Sequence, residues 1–213
     1  MNQSKEDNVI IEQDKLIFSL NKKEEKASVI NNNNAFGEVL IPRSIFHQTQ
    51  EYVVNIIKEG SFSNSTTINS ITFPSDSEVT TIEKSSFSNS IIDSLFVPTS
   101  VIQLKEGWCQ GTPKLTKIKI SPTNPRYIYV DDKMIVGKTY DQSKEYDSIV
   151  FVRRDITEIK IPTFIRRIES YSFSETSIKT IKIPNEVSEI YEGSIYKCQS
   201  LTKVEIAKNS KLK

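Results

Sequence analysis

The sequence predicts a solenoid: a right-handed, β-rich superhelix built from short coils of one pattern. Two observations predict it. A phrase of an apolar residue and proline, two spaced apolar residues and then Ser-Phe-Ser recurs, and one copy runs Ile161-Pro162, Ile165, Ile168 and Ser172-Phe173-Ser174. The apolar residue that ends each predicted strand also recurs, at steps of 24, 23, 41, 22 and 23 residues, at Phe73, Val97, Ile120, Ile161, Ile183 and Ile206.

A step of about 22 to 24 residues lies within the range of leucine-rich repeats. The predicted fold class is therefore a leucine-rich-repeat solenoid with short helical turns and an N-terminal β-hairpin cap. A solenoid uses an extended surface, made of the same position in successive coils, to contact other molecules. We therefore look for function in outward-facing rows of residues.

The pattern within one coil assigns each residue a direction. Ile181 and Ile183 have one residue between them and point inward, so Lys182 points outward. Pro184 ends the strand because it has no N–H for the sheet. Phe173 then lies on a short helical turn or tight bend, and we expect each such Phe to stack on the Phe of the next coil.

Departures from the pattern set the boundaries. Residues 1–8 are polar and predicted to be disordered, and residues 9–35 form the hairpin cap and a loop, since Leu16, Phe18 and Leu20 alternate with polar residues. Residues 36–213 form the solenoid. The step of 41 residues predicts an insertion at about 122–152, with a hairpin whose turn contains Asp131-Asp132.

Composition excludes several classes of function. Twenty-eight basic and 27 acidic residues give a net charge of +1, so nothing global attracts nucleic acid. Six glycines make phosphate-binding loops a poor interpretation. The N-terminus has no apolar core of a secretory signal, and no apolar run is long enough for a transmembrane helix. Cys109 and Cys198 lie three coils apart, roughly 15 Å at about 4.8 Å per coil, and are predicted to be free thiols.

Catalytic, cofactor and metal sites are not predicted. His47 is the only histidine, in what reads as a polar surface loop, and no Cys/His set has metal-ligand spacing. Asp131-Asp132 has two interpretations, a carboxylate pair able to bind calcium or an ordinary hairpin turn, and the turn is favoured. Without a nucleophile, a base and an oxyanion donor that converge, the sequence does not predict an enzyme.

The strongest surface signal is the outward row of the strands. The row predicts a partner-binding stripe of Lys119, Lys160 and Lys182 with Lys117 nearby. Phe96 has two interpretations, an exposed anchor for a partner or a ring packed against a neighbouring surface side chain. The members of the row are Thr72, Phe96, Lys119, Lys160, Lys182 and Glu205. The alternative is that these lysines only discourage strand edges from aggregating. Asn64-Ser65-Thr66 is an N-glycosylation sequon on a bend, which matters if the chain is secreted.

The repeat phrase, together with Asn124-Pro125 before the predicted hairpin, resembles the BspA-like leucine-rich repeat family, and Gly107-Trp108-Cys109 is similar to its surface-antigen group in parasitic protists. The resemblance covers roughly residues 36–213. It implies a non-catalytic scaffold for adhesion to a protein, such as host surface or extracellular matrix, or to a polyanionic glycan.

The missing signal favours a competing hypothesis, an intracellular scaffold for protein–protein interaction. Localisation is therefore left open between the cell surface, by resemblance, and the cytoplasm. The half coil at Val204–Leu212 is expected either to fray or to self-associate.

Overall fold

The protein folds as a β-solenoid of about eight turns. Its computed structural model describes residues 9–32, 34–140 and 142–213, so the prediction for residues 1–8 lies outside the described residues. No helix occurs in these ranges. The strands are β1 Val9–Gln13, β2 Leu16–Asn21, β3 Lys26–Ile30, β4 Gly37–Leu40, β5 Ser44–His47, β6 Gln50–Ile57, β7 Ile68–Thr72, β8 Thr81–Ile82, β9 Ser94–Val97, β10 Gln103–Leu104, β11 Lys117–Ile120, β12 Tyr127–Val130, β13 Met134–Gly137, β14 Ser148–Val152, β15 Arg167–Ile168, β16 Thr180–Ile183, β17 Glu189–Ile190 and β18 Lys203–Ile206.

Each coil contributes to two sheets. The strands that open successive coils pair in parallel as the front sheet, in the order β11-β9-β7-β4, and the same face resumes with β16-β18. The second strands of the coils form the back sheet, first β6-β8-β10 and then β14-β15-β17. Both sheets are therefore interrupted at the same level of the stack.

The N-terminal strands cover one end of the back sheet. β1, β2 and β3 pair antiparallel, and β3 joins β6 in parallel. Leu16, Phe18 and Leu20 lie on β2 and are almost fully buried. All three face the core, because alternate residues of a strand face the same side. β4, at the same end of the front sheet, pairs only with β7 within the described residues.

The repeated Phe lies on a run of tight turns, which is the second of the two alternatives that the sequence predicted, and no short helical turn forms there. Ser86 N–H donates to Glu83 O, and Ser88 N–H donates to Ser85 O. Residues two before and two after the Phe position have positive φ, which breaks a helix after a few residues. This pair of left-handed residues recurs as Gly60 and Asn64, Ser85 and Asn89, Gly107 and Gly111, Tyr171 and Glu175, and Gly193 and Lys197.

An aromatic ladder runs through the first half of the stack. The Phe62 and Phe87 rings are stacked with centroids 5.4 Å apart, and Phe87 meets Trp108 edge-on at 6.2 Å. Trp108 then lies 5.9 Å from Phe151. Phe173 is fully buried without a ring contact in the described residues, because the next coil has Ile195 at the Phe position.

The ladder shifts by one residue where the stack is interrupted. Phe87 N–H donates to Trp108 O, and Val152 N–H donates to Ser172 O, which aligns Cys109 and Val152 with the Phe position of other coils. Trp108 and Phe151 therefore stand where other coils have Ser. The small side chains at Cys109 and Val152 leave room in the core for a group from elsewhere.

Arg154 occupies this part of the core. Its side chain is 2% exposed, and its guanidinium lies 4.5 Å from the centre of the Phe151 ring. Its Nη1 donates to Ser172 O at 3.1 Å, while Nη2 donates to Cys109 O at 3.4 Å and approaches Cys109 Sγ at 3.6 Å. Burial lowers the pKa of Arg154 and raises the pKa of the Cys109 thiol to about 11, although the neighbouring charge opposes the latter shift.

The insertion divides the core in two. β12 and β13 form an antiparallel hairpin whose turn holds Asp131 and Asp132, both at φ 53°. On β13, Ile135 packs into the core of the first coils, whereas Met134 and Val136 pack into the core of the later coils. β13 is therefore a shared wall between two apolar clusters.

Asn124 fixes the entrance to the insertion. It is 5% exposed, and its Nδ2 donates to Pro98 O at 2.7 Å and to Val101 O at 3.0 Å. Its Oδ1 accepts the backbone N–H groups of Arg126 and Tyr127. One buried amide thus ties the hairpin to the preceding coil with four hydrogen bonds.

Candidate interaction face

The outward row of the front sheet is fixed by strand register. Lys119 lies opposite Phe96, and Lys182 lies opposite Glu205. Leu40 extends the row at the N-terminal end because it pairs with Thr72. Lys160 lies in no strand, but it lines a surface groove with Lys182 and Glu205. We call this set the front row: Leu40, Thr72, Phe96, Lys119, Lys160, Lys182 and Glu205.

Carboxylates interrupt the expected stripe of positive charge. Lys182 Nζ lies 3.4 Å from Glu205, and Lys117 Nζ lies 3.1 Å from Asp93. Lys203 also binds Glu205, at 2.7 Å, and this hydrogen bond lowers the pKa of the carboxyl. These pairs are exposed, so each stabilises the fold little, but they reduce the local positive charge.

Lys119 and Lys160 are the two lysines of the front row that have no carboxylate beside them in the described residues. Both are exposed, and no carboxylate of the described residues lies within 4 Å of either. The front row is therefore a mixed surface with two free ammonium groups. A mixed polar and apolar row suits a protein partner better than it suits a uniformly charged polymer.

The structure favours the packed interpretation of Phe96 over the exposed anchor. Its side chain is half-buried and packs against the apolar cluster of the first coils. Leu40, at the end of the row, is 58% exposed and lines a surface groove together with Phe36, which is 55% exposed. The more accessible apolar contacts of the front row are thus at its N-terminal end.

The sequon asparagine, the histidine and the two cysteines lie outside the front row. Asn64 is exposed at a left-handed turn, where its Oδ1 accepts a hydrogen bond from Asn89 Nδ2. His47 is not in a polar loop: it ends β5 and pairs with Gln50 across the β5–β6 hairpin. Cys109 is buried and Cys198 half-buried, and neither forms a disulfide.

The described residues contain no group of three or more His, Cys, Asp and Glu side chains that could hold a metal ion. Within the same residues, no helix is long and apolar enough to cross a membrane.

The last described coil exposes residues that earlier coils bury. Val204 pairs with Ile181, yet Val204 is 46% exposed and Ile181 is fully buried. Ile206 is 56% exposed. Self-association through this edge stays a prediction.

Comparison with protein families gives a match along most of the chain. The model of the BspA type leucine-rich repeat region matches six copies, in residues 30–131 and 144–212. No curated protein matches the chain significantly.

Solved structures with a similar fold come from bacteria. A leucine-rich cell surface protein of Faecalibacterium prausnitzii is 15% identical with a TM-score of 0.52, and the alignment covers 92% of this chain and 76% of that protein. A leucine-rich repeat protein of Eubacterium ventriosum is 14% identical with a TM-score of 0.51 over 91% and 70% of the two chains. The pneumococcal vaccine antigen PcpA is 14% identical with a TM-score of 0.50 over 95% and 71%. At these identities the likeness shows a shared fold.

Proposed function

Since the chain belongs to the BspA type leucine-rich repeat family, we propose that it is a non-catalytic scaffold whose front row binds a protein partner. The observation that carries the proposal is the register of the front sheet, which places side chains of successive coils in one outward row. The exposed, uncompensated Lys119 and Lys160 are the groups most available to carboxylates of a partner.

The proposal includes an adhesion or surface-antigen role. Its support is likeness: one structural neighbour is described as a cell surface protein and another as a vaccine antigen. On this proposal the partner is a protein of a host surface or of the extracellular matrix. A polyanionic glycan is disfavoured because Lys117 and Lys182 already hold carboxylates.

Charge reversal tests the front row. We expect Lys119→Glu combined with Lys160→Glu to weaken binding to immobilised extracellular-matrix proteins by about tenfold or more, since a hydrogen bond to a charged group contributes about 1.5–3 kcal/mol. Lys84→Glu is the matched control, because Lys84 is an exposed lysine in a turn outside the front row. Surface plasmon resonance with the matrix proteins and with heparin in separate channels measures both classes of partner.

Each outcome has a definite meaning. Equal affinity of the double variant and the wild type for a matrix protein would remove the front row as the binding surface. Binding to heparin alone would replace the protein partner by a glycan.

An intracellular scaffold is the second candidate, and the unpaired thiols of Cys109 and Cys198 favour it. Labelling of intact source cells with a membrane-impermeant biotin reagent separates the two candidates. Labelled protein supports the surface role, and protection until lysis supports the intracellular one. Glycosylation of Asn64 would be a second indicator of secretion.

A further inference from the structure

A polar cleft of about 220 Å³ lies on the back-sheet side of the molecule, where the insertion meets the preceding coil. Its walls include Lys105, Trp108, Arg126, Lys138, Ser148 and Glu169. None of these residues belongs to the front row. The cleft therefore requires an explanation separate from the proposed function.

The cleft exists because the back sheet is interrupted there. β10 pairs with β8 on one side, and in the described residues no strand pairs with its other side. Leu104 N–H, on β10, instead donates to Tyr127 Oη at 2.8 Å. The walls thus come from both halves of the solenoid and from the insertion, and each part is held by sheet or side-chain hydrogen bonds.

Two side chains of the walls are shielded from solvent, Trp108 almost fully and Glu169 in part. Trp108 is 3% exposed, and among the described residues nothing accepts a hydrogen bond from its indole Nε1. Glu169 is half-buried and accepts a hydrogen bond from Ser148 Oγ at 2.5 Å, and burial raises the pKa of its carboxyl.

The charges in the cleft are mixed. Within the described residues no carboxylate lies within 4 Å of Lys105 or Lys138, and the Lys138 ammonium faces the Tyr146 ring at 5.0 Å. The Arg126 guanidinium donates to Thr139 O. On the acidic side, Glu106 already accepts a hydrogen bond from Ser170 Oγ. Each of these two carboxylates accepts one hydroxyl of the protein, and Glu169 is the more enclosed acceptor for a donor on a ligand because it is half-buried whereas Glu106 is exposed.

We propose that this cleft binds a single carboxylated sugar, a monosaccharide acid of the hexuronate type. The ligand carboxylate is held by the Lys105 and Lys138 ammonium groups, the sugar ring lies beside Trp108, and a ligand hydroxyl donates to Glu169. Acetate has no hydroxyl for Glu169, inorganic phosphate has no sugar ring to lie beside Trp108, and a neutral sugar has no charge for the lysines. The cleft is smaller than the about 300–1,000 Å³ typical of sites for drug-sized ligands, which suits one sugar ring.

Trp108 provides the measurement because it is the only tryptophan of the chain. The full chain is titrated with sodium galacturonate at constant ionic strength while tryptophan emission is recorded. We expect a saturable change in the millimolar range. Galactose, acetate and inorganic phosphate, titrated in the same way, should give no saturable change.

Variants assign the signal to the cleft. Lys138→Gln and Glu169→Gln should each raise the dissociation constant for galacturonate about tenfold, the effect of losing one charged hydrogen bond. Lys22→Gln, an exposed lysine of the β2–β3 turn, should leave it unchanged. Thermal melting shows that each variant is folded, and if Glu169→Gln does not fold, Lys138→Gln alone carries the test.

No saturable change with galacturonate overturns the proposal. An equal response to galactose would show that the ligand carboxylate is not recognised, and this result also overturns the proposal. An equal response to acetate or phosphate would show a general anion site without recognition of the sugar, and it overturns the proposal as well. Because no front-row residue is changed, failure here does not affect the front-row proposal, and failure there does not affect this one.

Discussion

The regular coils and the coils beside the insertion fill the same position of the repeat in different ways. Around Phe87 one ring fills the turn and stacks on the ring of the neighbouring coil. Around Cys109 and Val152 the side chains at that position are small, and Trp108, Phe151 and the buried Arg154 fill the volume instead. The repeat therefore requires a filled volume at the turn, and a phenylalanine in the usual register is one way to provide it.

The largest expected effect tests the regular coils. Phe87→Ala should lower the free energy of unfolding by about 3–5 kcal/mol, because it removes a fully packed ring. Phe173→Ala is the matched variant: it removes an equally buried ring that has no ring neighbour in the described residues. We expect Phe87→Ala to be the more destabilising, since a ring pair adds about 0.5–1.5 kcal/mol beyond burial. Urea denaturation followed by circular dichroism measures both, and a greater loss at Phe173 would show that the ladder adds no stability.

A smaller effect tests the left-handed turn beside the insertion. Gly111 has φ +71°, and a Cβ there would lie 2.2 Å from Asn89 Oδ1 of the neighbouring coil. Gly37 has φ +68°, but a Cβ there meets nothing within 4 Å. Gly37→Ala should thus cost about 1–2 kcal/mol from backbone conformation alone, and Gly111→Ala should cost more. Equal losses in urea denaturation would mean that Asn89 moves aside freely.

The smallest effect compares two carboxyl groups at one repeat position. Glu83 and Glu169 both lie four residues before the Phe position; Glu83 pairs with Lys58 at 3.5 Å, whereas Glu169 meets Ser148 in the cleft. Burial raises the pKa of Glu169 in the folded state. From about pH 4.3 upward the carboxyl therefore loses its proton in the unfolded state before it does so in the folded state. The free energy of unfolding falls with rising pH across this range, until the folded carboxyl also ionises.

Glu169→Gln removes this loss. We expect the variant to lose less stability than the wild type between about pH 4 and pH 7. Glu83→Gln is the control, and it should not gain stability relative to the wild type at neutral pH, because it breaks an ion pair. Urea midpoints across the pH range measure all three proteins, and parallel curves for Glu169→Gln and the wild type would contradict the shifted pKa.

The sequence predicted the parts of the molecule that depend on period. The apolar step specified the coils, and alternation within a strand specified that Lys119 and Lys182 point outward, because both are local properties. The sequence also contained the pairing of Lys182 with Glu205, since both residues were in the predicted row. Glu205 lowers the positive charge of the row, because its carboxylate lies near both Lys182 and Lys203.

The burial of Arg154 could not be predicted from its own neighbourhood. Arg153-Arg154 looks like a short basic surface cluster, and Arg153 is indeed paired with Asp132 and Asp155. Arg154 is buried because Cys109, 45 positions earlier, leaves space beside it. The signal was present as two small residues at successive Phe positions, but it required the register of coils across the insertion. The cleft cannot be predicted from the sequence for a related reason: no local pattern shows that the back sheet stops at β10.

The shared wall formed by β13 has a mechanical consequence. Both sheets break at the level of the hairpin, so the strand-to-strand hydrogen bonds that stiffen the stack do not run from one end to the other. The solenoid therefore consists of two groups of coils in sequence along its axis. The Trp108–Phe151 contact and the hydrogen bonds of Asn124 and Arg154 help to hold the two groups together. Tension along the superhelix would concentrate at this joint, and the two groups of coils would give way as separate events.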